Sequence, residues 1–197
     1  MSNTAMNSDA LDVLFRNARS HNGWQNKPVS DEQLRQIYEL MKMGPTSANS
    51  CPARIVFVRS ASAKEKLKAC LDVGNVDKSM TAPLVAIIGM DLEFYDKLPQ
   101  LFPHADAKSW FVGKPDKILE TAFRNSSLQG AYFIMAVRSL GLDAGPMSGF
   151  NAEKLSAAFY PGGKVKANFI CAIGYGDAAK LYPRGPRLDF TEVCQIV

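Results

Sequence analysis

The chain has little of what most protein-borne chemistry is built from. There are two histidines, His21 and His104, and four cysteines, at positions 51, 70, 171 and 194, with no Cys-x-x-Cys among them. That is poor material for a zinc site or a disulfide framework. No triad-like Ser/His/Asp arrangement, P-loop or Gly-x-Gly-x-x-Gly is present. No apolar run approaches membrane-spanning length, and Met1 to Asp12 is polar and lacks an apolar signal core. Lys and Arg total 23 against 19 acidic residues, a formal net charge of +4, and the basic residues form no dense cluster. A nucleic-acid face is therefore not expected. These absences lead us to expect a reduced, cytoplasmic, soluble protein with no metal, membrane or nucleic-acid partner.

What is present is an ordinary globular composition. Hydrophobic residues make up 47% of 197 and charged residues 21%, which fits one domain over 1–197 with a real core. Leu11, Leu14, Phe15 and Ala18 fall at helical spacing behind a Ser8 or Asp9 cap. Ser30 and Gln33 form a capping box for a second helix with Leu34, Ile37, Leu40 and Met41 on its apolar stripe. A strand over 54–59 and a short helix near Ala63–Leu71 follow. Pro83 to Gly89 reads as a strand buried on both faces. Residues 91–114 look irregular and aromatic. A long helix from about Pro115 to Leu140 is apolar nearly all round from Ala131 to Val137, so a central position is expected. A strand near Asp143–Pro146, a helix over Glu153–Phe159 and a buried strand over Ala167–Tyr175 complete the pattern. The order predicts an α+β fold with helices packed around a mixed central sheet.

Two kinds of segment can bind something. Between the second helix and the first strand, Pro45-Thr46-Ser47-Ala48-Asn49-Ser50-Cys51-Pro52 packs short hydroxyl and amide side chains into a few residues. Such a loop is either a plain helix-to-strand turn or a set of donors and acceptors facing the edge of a flat heterocycle. Arg19-Ser20-His21-Asn22 and Tyr182-Pro183-Arg184-Gly185-Pro186-Arg187 offer guanidinium forks and hydroxyls, the groups that a terminal phosphate needs.

Taken together and in order, these segments resemble the FMN-dependent nitroreductase family over essentially the whole chain. Its Arg-x-Ser-x-Arg opening is matched by Arg19-Ser20-His21-Asn22, and its Pro-Ser-x-x-Asn-x-Gln-Pro loop by Pro45 to Pro52. Its Asn-x-x-Lys is matched by Asn75-Val76-Asp77-Lys78. Its Pro-x-x-Gly-Phe turn is matched by Pro146 to Phe150, and its closing Gly-Tyr…Arg by Gly174-Tyr175 with Arg184 and Arg187. Two positions depart: Asn22 stands where a second phosphate-binding basic residue is common, and Cys51 replaces the usual Gln.

The resemblance implies a dimeric nitroreductase-like fold that binds FMN and uses NADH or NADPH, passing a hydride through flavin N5 in ping-pong fashion. No side chain acts as the catalyst, because the flavin carries the chemistry. Arg19, Ser20, Arg184 and Arg187 would hold the phosphate, with His21 beside them. Asn75 and Lys78 would meet the pyrimidine edge, and Ser148 and Gly149 would offer N–H groups. Thr46, Ser47 and Asn49 would reach the flavin of the other subunit. Within the family, His21–Trp24, Leu101–Ala107, Phe123–Ser127 and Gly145–Phe150 are similar to the malonic semialdehyde reductases of uracil degradation. That similarity implies reduction of 3-oxopropanoate to 3-hydroxypropanoate. The other readings are a nitro, quinone or enone reductase, or a flavin-binding protein without efficient turnover. Residues 94–112 are expected to form a substrate lid, with His104, Lys108, Trp110, Phe111 and Arg124 as substrate-facing candidates; inward packing of Trp110 and Phe111 is the alternative.

Overall fold

The computed structural model describes residues 4–197, so the first residues of the polar N-terminal stretch lie outside it. In chain order the elements are α1 (Ser8–Leu11), a π-helical turn (Asp12–Arg16), α2 (Asp31–Met41), β1 (Ala53–Val58), α3 (Ala61–Lys68) and α4 (Val73–Thr81). Then come β2 (Leu84–Asp91), α5 (Leu98–Leu101), α6 (Pro115–Ser139), β3 (Asp143–Met147), α7 (Ala152–Phe159), β4 (Val165–Gly174) and α8 (Phe190–Val193).

The strands lie in the order β1-β2-β4-β3, and every neighbouring pair is antiparallel. The expected mixed sheet is thus antiparallel throughout its four strands, and its parallel component is a single bridge, Ser20↔Ala144. The reason lies in α4, which the sequence reading missed. Two helices, α3 and α4, return the chain to the end of the sheet that β1 left, so β2 runs back along it. Val73, Gly74, Val76 and Thr81 are poor helix formers, which hid α4 from a propensity argument.

Period-two alternation builds one core on each face. Leu84, Ala86 and Ile88 of β2 and Cys171 and Ile173 of β4 pack against Leu34, Ile37 and Met41 of α2 and Phe133 and Val137 of α6. Val85, Ile87, Ile170 and Ala172 face the other way, onto Leu67 of α3, Leu155 of α7 and Trp24. A third cluster, Met90, Phe94, Leu98, Ala107, Phe111 and Ala122, lies under the aromatic segment.

Local details refine the sequence reading. Asn7, not Ser8 or Asp9, caps the first helix by accepting from Ala10 N. The α2 capping box forms as expected, with Ser30 Oγ accepting from Gln33 N and Gln33 Oε1 accepting from Ser30 N, but Leu40 points to solvent. On α6 only one side is buried: Phe133, Ala136 and Val137 are inside, whereas Leu119, Phe123 and Leu128 are exposed.

A bulge between Ile88 and Gly89 breaks the β2–β4 register. The Tyr160 hydroxyl fills it, 2.8 Å from the carbonyl oxygens of Arg54 and Ile87. Burial raises the Tyr160 phenol well above its ordinary range and pushes the Cys171 thiol up to about 12. Both groups are neutral when protonated, and both hold their protons more tightly folded than unfolded. Their contribution is therefore fully present below the unfolded values of about 8.5 for the thiol and 10 for the phenol, and declines as pH rises past them. We expect the urea midpoint to fall between pH 8 and pH 10.5; a flat profile would contradict this burial.

Candidate functional site

The basic residues from opposite ends of the chain meet. Arg19, Ser20 and Asn22 from the segment after the π-helical turn, and Tyr182, Arg184 and Arg187 from the tail, line one cavity of about 360 Å³. Backbone contacts position them. Ser20 bridges Ala144, and His21 N donates to Ala144 O at 3.1 Å, which pins this segment along the outer edge of β3. Arg184 Nη2 donates to Arg16 O and Ala18 O at 2.8 and 3.0 Å, and Arg19 Nη2 donates to Tyr182 O, so the tail and the first segment are stapled together. Among the described residues Arg187 bonds only the nearby carbonyls of Gly185 and Pro186. Arg138, from the last turn of α6, also lines the cavity, and the sequence reading missed it. Among the described residues none of these four arginines is in an ion pair. Uncompensated guanidinium groups around a small cavity suit a multiply charged anion.

His21 does not join them. It is 7% exposed, its Nε2 lies 3.3 Å from Asp143 Oδ1, and its ring packs against Trp24 and Gly176. The ring is not part of the cavity lining.

At the other end of β3 a second cluster forms. Asn75 on α4 donates from Nδ2 to Gly149 O at 2.7 Å, and Asp72 N donates to the same carbonyl at 3.2 Å. A Cβ on Gly149 would collide with the Asn75 amide, so this position needs glycine. The N–H groups of Ser148 and Gly149 lie past the end of the β3–β4 ladder, which stops at Met147↔Ile170. Lys78 is half-buried one turn along α4 from Asn75, and its carbonyl accepts from Trp24 Nε1 at 2.9 Å. Ala144 and Gly149 are five residues apart, about 16 Å at 3.3 Å per residue. An anion pocket and a polar ledge at the two ends of one strand, β3, suit a phosphate-bearing mononucleotide with a flat ring.

The Thr46–Asn49 loop belongs to the opposite edge. It enters β1, three inter-strand spacings from β3, about 14 Å. Ser47 N donates to Asn125 Oδ1 at 2.8 Å, Asn49 Nδ2 to Leu101 O at 2.9 Å, and Tyr132 OH to Pro45 O at 3.0 Å. Thr46 Oγ1 accepts from Cys51 N at 3.2 Å. Ala48, Asn49 and Cys51 all have positive φ, near 50°, 49° and 42°. Three non-glycine residues in this region store strain, and the bonds to α6 and α5 hold it in place. Within Arg124-Asn125-Ser126-Ser127, Asn125 anchors this loop, and Ser126 and Ser127 accept from Asn168 Nδ2 at 2.8 and 2.9 Å. Asn125, Ser126 and Ser127 are scaffold, whereas Arg124 points outward.

Of the substrate candidates, Phe111 is 4% exposed, inside the third cluster, edge-to-face with Phe94 at 4.9 Å. It is a core residue, not a lid face. Lys108 pairs with Asp96 at 2.8 Å, and Arg124, exposed on α6, pairs with Glu120. His104 and Trp110 remain exposed, each with its ring against Phe102 at 4.8 and 6.0 Å.

The nitroreductase family model matches residues 15–176. The chain belongs to that family. Over 194 residues it is 61% identical to a protein of Polynucleobacter asymbioticus, covering 98% of this chain and 99% of that one, whose name proposes an NADH dehydrogenase/NAD(P)H nitroreductase. Two solved structures share the nitroreductase fold. One, from Exiguobacterium sibiricum in complex with FMN, has a TM-score of 0.85 at 19% identity and covers 98% of this chain and 100% of that chain. The other, from Staphylococcus epidermidis and titled as a proposed NAD(P)H:FMN oxidoreductase, has a TM-score of 0.85 at 22% identity with full coverage of both. Among the described residues of this nitroreductase, no helix is long and apolar enough to cross a membrane.

Proposed function

We propose that this nitroreductase is an FMN-dependent NAD(P)H oxidoreductase that works as a homodimer and reduces 3-oxopropanoate to 3-hydroxypropanoate. The observation that carries the cofactor is the set of unpaired arginines at one end of β3, with the Asn75–Gly149 ledge at the other. Arg19, Ser20, Arg184 and Arg187 hold the phosphate. Asn75, whose Nδ2 is committed to Gly149 O, keeps Oδ1 as an acceptor for the pyrimidine edge of the ring, and Ser148 and Gly149 offer N–H groups. Lys78 places a cation where negative charge gathers on the ring. FMN, when bound, supplies the hydride acceptor and donor, and the protein supplies position and field.

The support for the dimer is the Thr46–Asn49 loop. Anchored at the β1 edge, it cannot serve the β3 edge of its own chain, whereas a second copy can bring it there. Exposed Leu119, Phe123 and Leu128 on α6, and Leu188, Phe190 and Val193 in the tail, supply apolar surface for such an interface.

The acceptor rests on the four segments similar to malonic semialdehyde reductases. Two of them, Leu101–Ala107 and Phe123–Ser127, carry His104 and Arg124. Releasing Arg124 for a substrate carboxylate costs little, because an exposed i,i+4 pair with Glu120 is worth only about 0.2–0.5 kcal/mol.

The test is anaerobic NAD(P)H oxidation by the flavin-loaded full chain with 3-oxopropanoate, a quinone, a nitroaromatic and an enone. Turnover highest with 3-oxopropanoate supports the proposal. Turnover confined to the uncharged acceptors replaces it with a broad-specificity reductase. No acceptor-dependent oxidation at all leaves a flavin-binding protein without efficient turnover.

A further inference from the structure

The arginine cavity contains one cation that none of the sequence motifs supplies. Arg138 leaves α6 at its last turn and lines the same cavity as Arg19, Ser20, Arg184 and Arg187. Its hydrogen bonding is incomplete. Nη1 donates to Leu14 O at 2.9 Å, while Nε is buried with no partner among the described residues. A buried N–H left unpaired is costly, and buried guanidinium groups are normally matched by an anion. The acidic side chain whose charge acts on it, Asp143, is already engaged by His21 Nε2 and by Gly176 N at 2.9 Å. Burial pushes the Arg138 guanidinium below its ordinary pKa, and the neighbouring charge of Arg184 adds to that effect. Arg138 therefore presents an unmatched guanidinium N–H at the wall of this cavity, a donor that a bound anion would satisfy.

The same cavity is lined by Asn22, the position at which the family pattern favours a second basic residue. We infer that Arg138 is a phosphate-binding residue of the cofactor site, supplying from α6 the cation that is missing at position 22. The inference rests on the proposal that this cavity holds the FMN phosphate. A purely structural arginine would tether the π-helical turn through Leu14 O and do nothing else. The two roles separate by comparing flavins with and without the phosphate.

The experiment measures FMN and riboflavin affinity of the full-length protein by quenching of flavin fluorescence, for wild type, Arg138→Gln, Arg138→Met and Arg19→Ala. Arg138→Met keeps the packing of the stem, so that a folded variant is in hand even if the glutamine is poorly tolerated. We expect both Arg138 variants to lose about 10–100-fold in FMN affinity while riboflavin affinity stays within about twofold. Adding Asn22→Arg to Arg138→Gln should recover most of the loss. Equal losses for both flavins, or an unchanged preference for FMN over riboflavin, overturn the role of Arg138. If wild type itself binds riboflavin as tightly as FMN, the cavity does not hold the phosphate, and the cofactor placement falls with the inference. Loss of that preference in Arg19→Ala but not in the Arg138 variants leaves the cofactor placement standing and removes Arg138 from it.

Discussion

Phe111→Ala is expected to destabilise the protein by about 3–5 kcal/mol, the cost of deleting a buried phenyl ring. The ring is edge-to-face with Phe94 at an interplanar angle of 74°, inside a cluster that includes Met90, Leu98 and Ala107. Lys117 Nζ lies 5.0 Å from its centroid, so the substitution also removes a cation–π contact. For a chain of this size the expected fall in Tm is about 6–20 °C. Well below the new midpoint, the arginine cavity should keep its affinity for the phosphate, because the cluster packs against Ala48 of the Thr46–Asn49 loop and lies away from the β3 edge. Trp110→Ala is the contrasting case. That ring is 40% exposed and touches Phe102 at the surface, so its loss should leave Tm nearly intact and act on turnover if residues 94–112 cover the substrate. Thermal unfolding of the two variants side by side decides the matter. An unchanged Tm in Phe111→Ala would return that ring to the substrate face.

The contrast shows where the sequence was readable. Elements with a strong period or an unambiguous cap were legible: the Ser30–Gln33 box, the buried β2 run and the extent of α6 all follow from local patterning. What depends on chain direction was not. The antiparallel run of β2 is set by α4, whose Gly74 and β-branched residues carry no helical signal, and Asn75 and Lys78 were identified by motif without the helix that presents them. Aromatic residues in an irregular stretch read equally as lid or as satellite core, because composition alone does not say which way a ring turns; Phe111 turned in and Trp110 did not. In the candidate site, Arg19, Ser20, Arg184 and Arg187 were legible because they recur in recognisable segments. His21 sits between them in sequence but points the other way, since Gly145 and Gly176 leave room for it against the sheet edge. Arg138 carried one faint signal: a lone arginine on an otherwise apolar helix end, beside a motif that lacks a cation at position 22.

Arg19→Ala should lower FMN affinity by about 10–150-fold, equivalent to about 1.5–3 kcal/mol for a hydrogen bond to a charged group. Arg19 is the residue of the first segment best placed to read a phosphate. Its neighbour Ser20 is fixed by the bridge to Ala144, and its own Nη2 is steadied by Tyr182 O at the wall of the cavity. That arrangement pre-organises the donor, so little side-chain freedom is lost when the anion arrives. Arg19→Lys keeps the charge but loses the planar fork, and its affinity should fall between wild type and alanine. Raising the salt concentration should weaken wild-type binding more than Arg19→Ala binding, since a partly exposed charge pair is screened. The flavin released from purified wild type should be FMN, because the guanidinium forks of Arg19, Arg184 and Arg187 match the charge and geometry of a terminal phosphate. Release of FAD, or full FMN affinity in Arg19→Ala, would move the anion out of this cavity and leave its four arginines without an account.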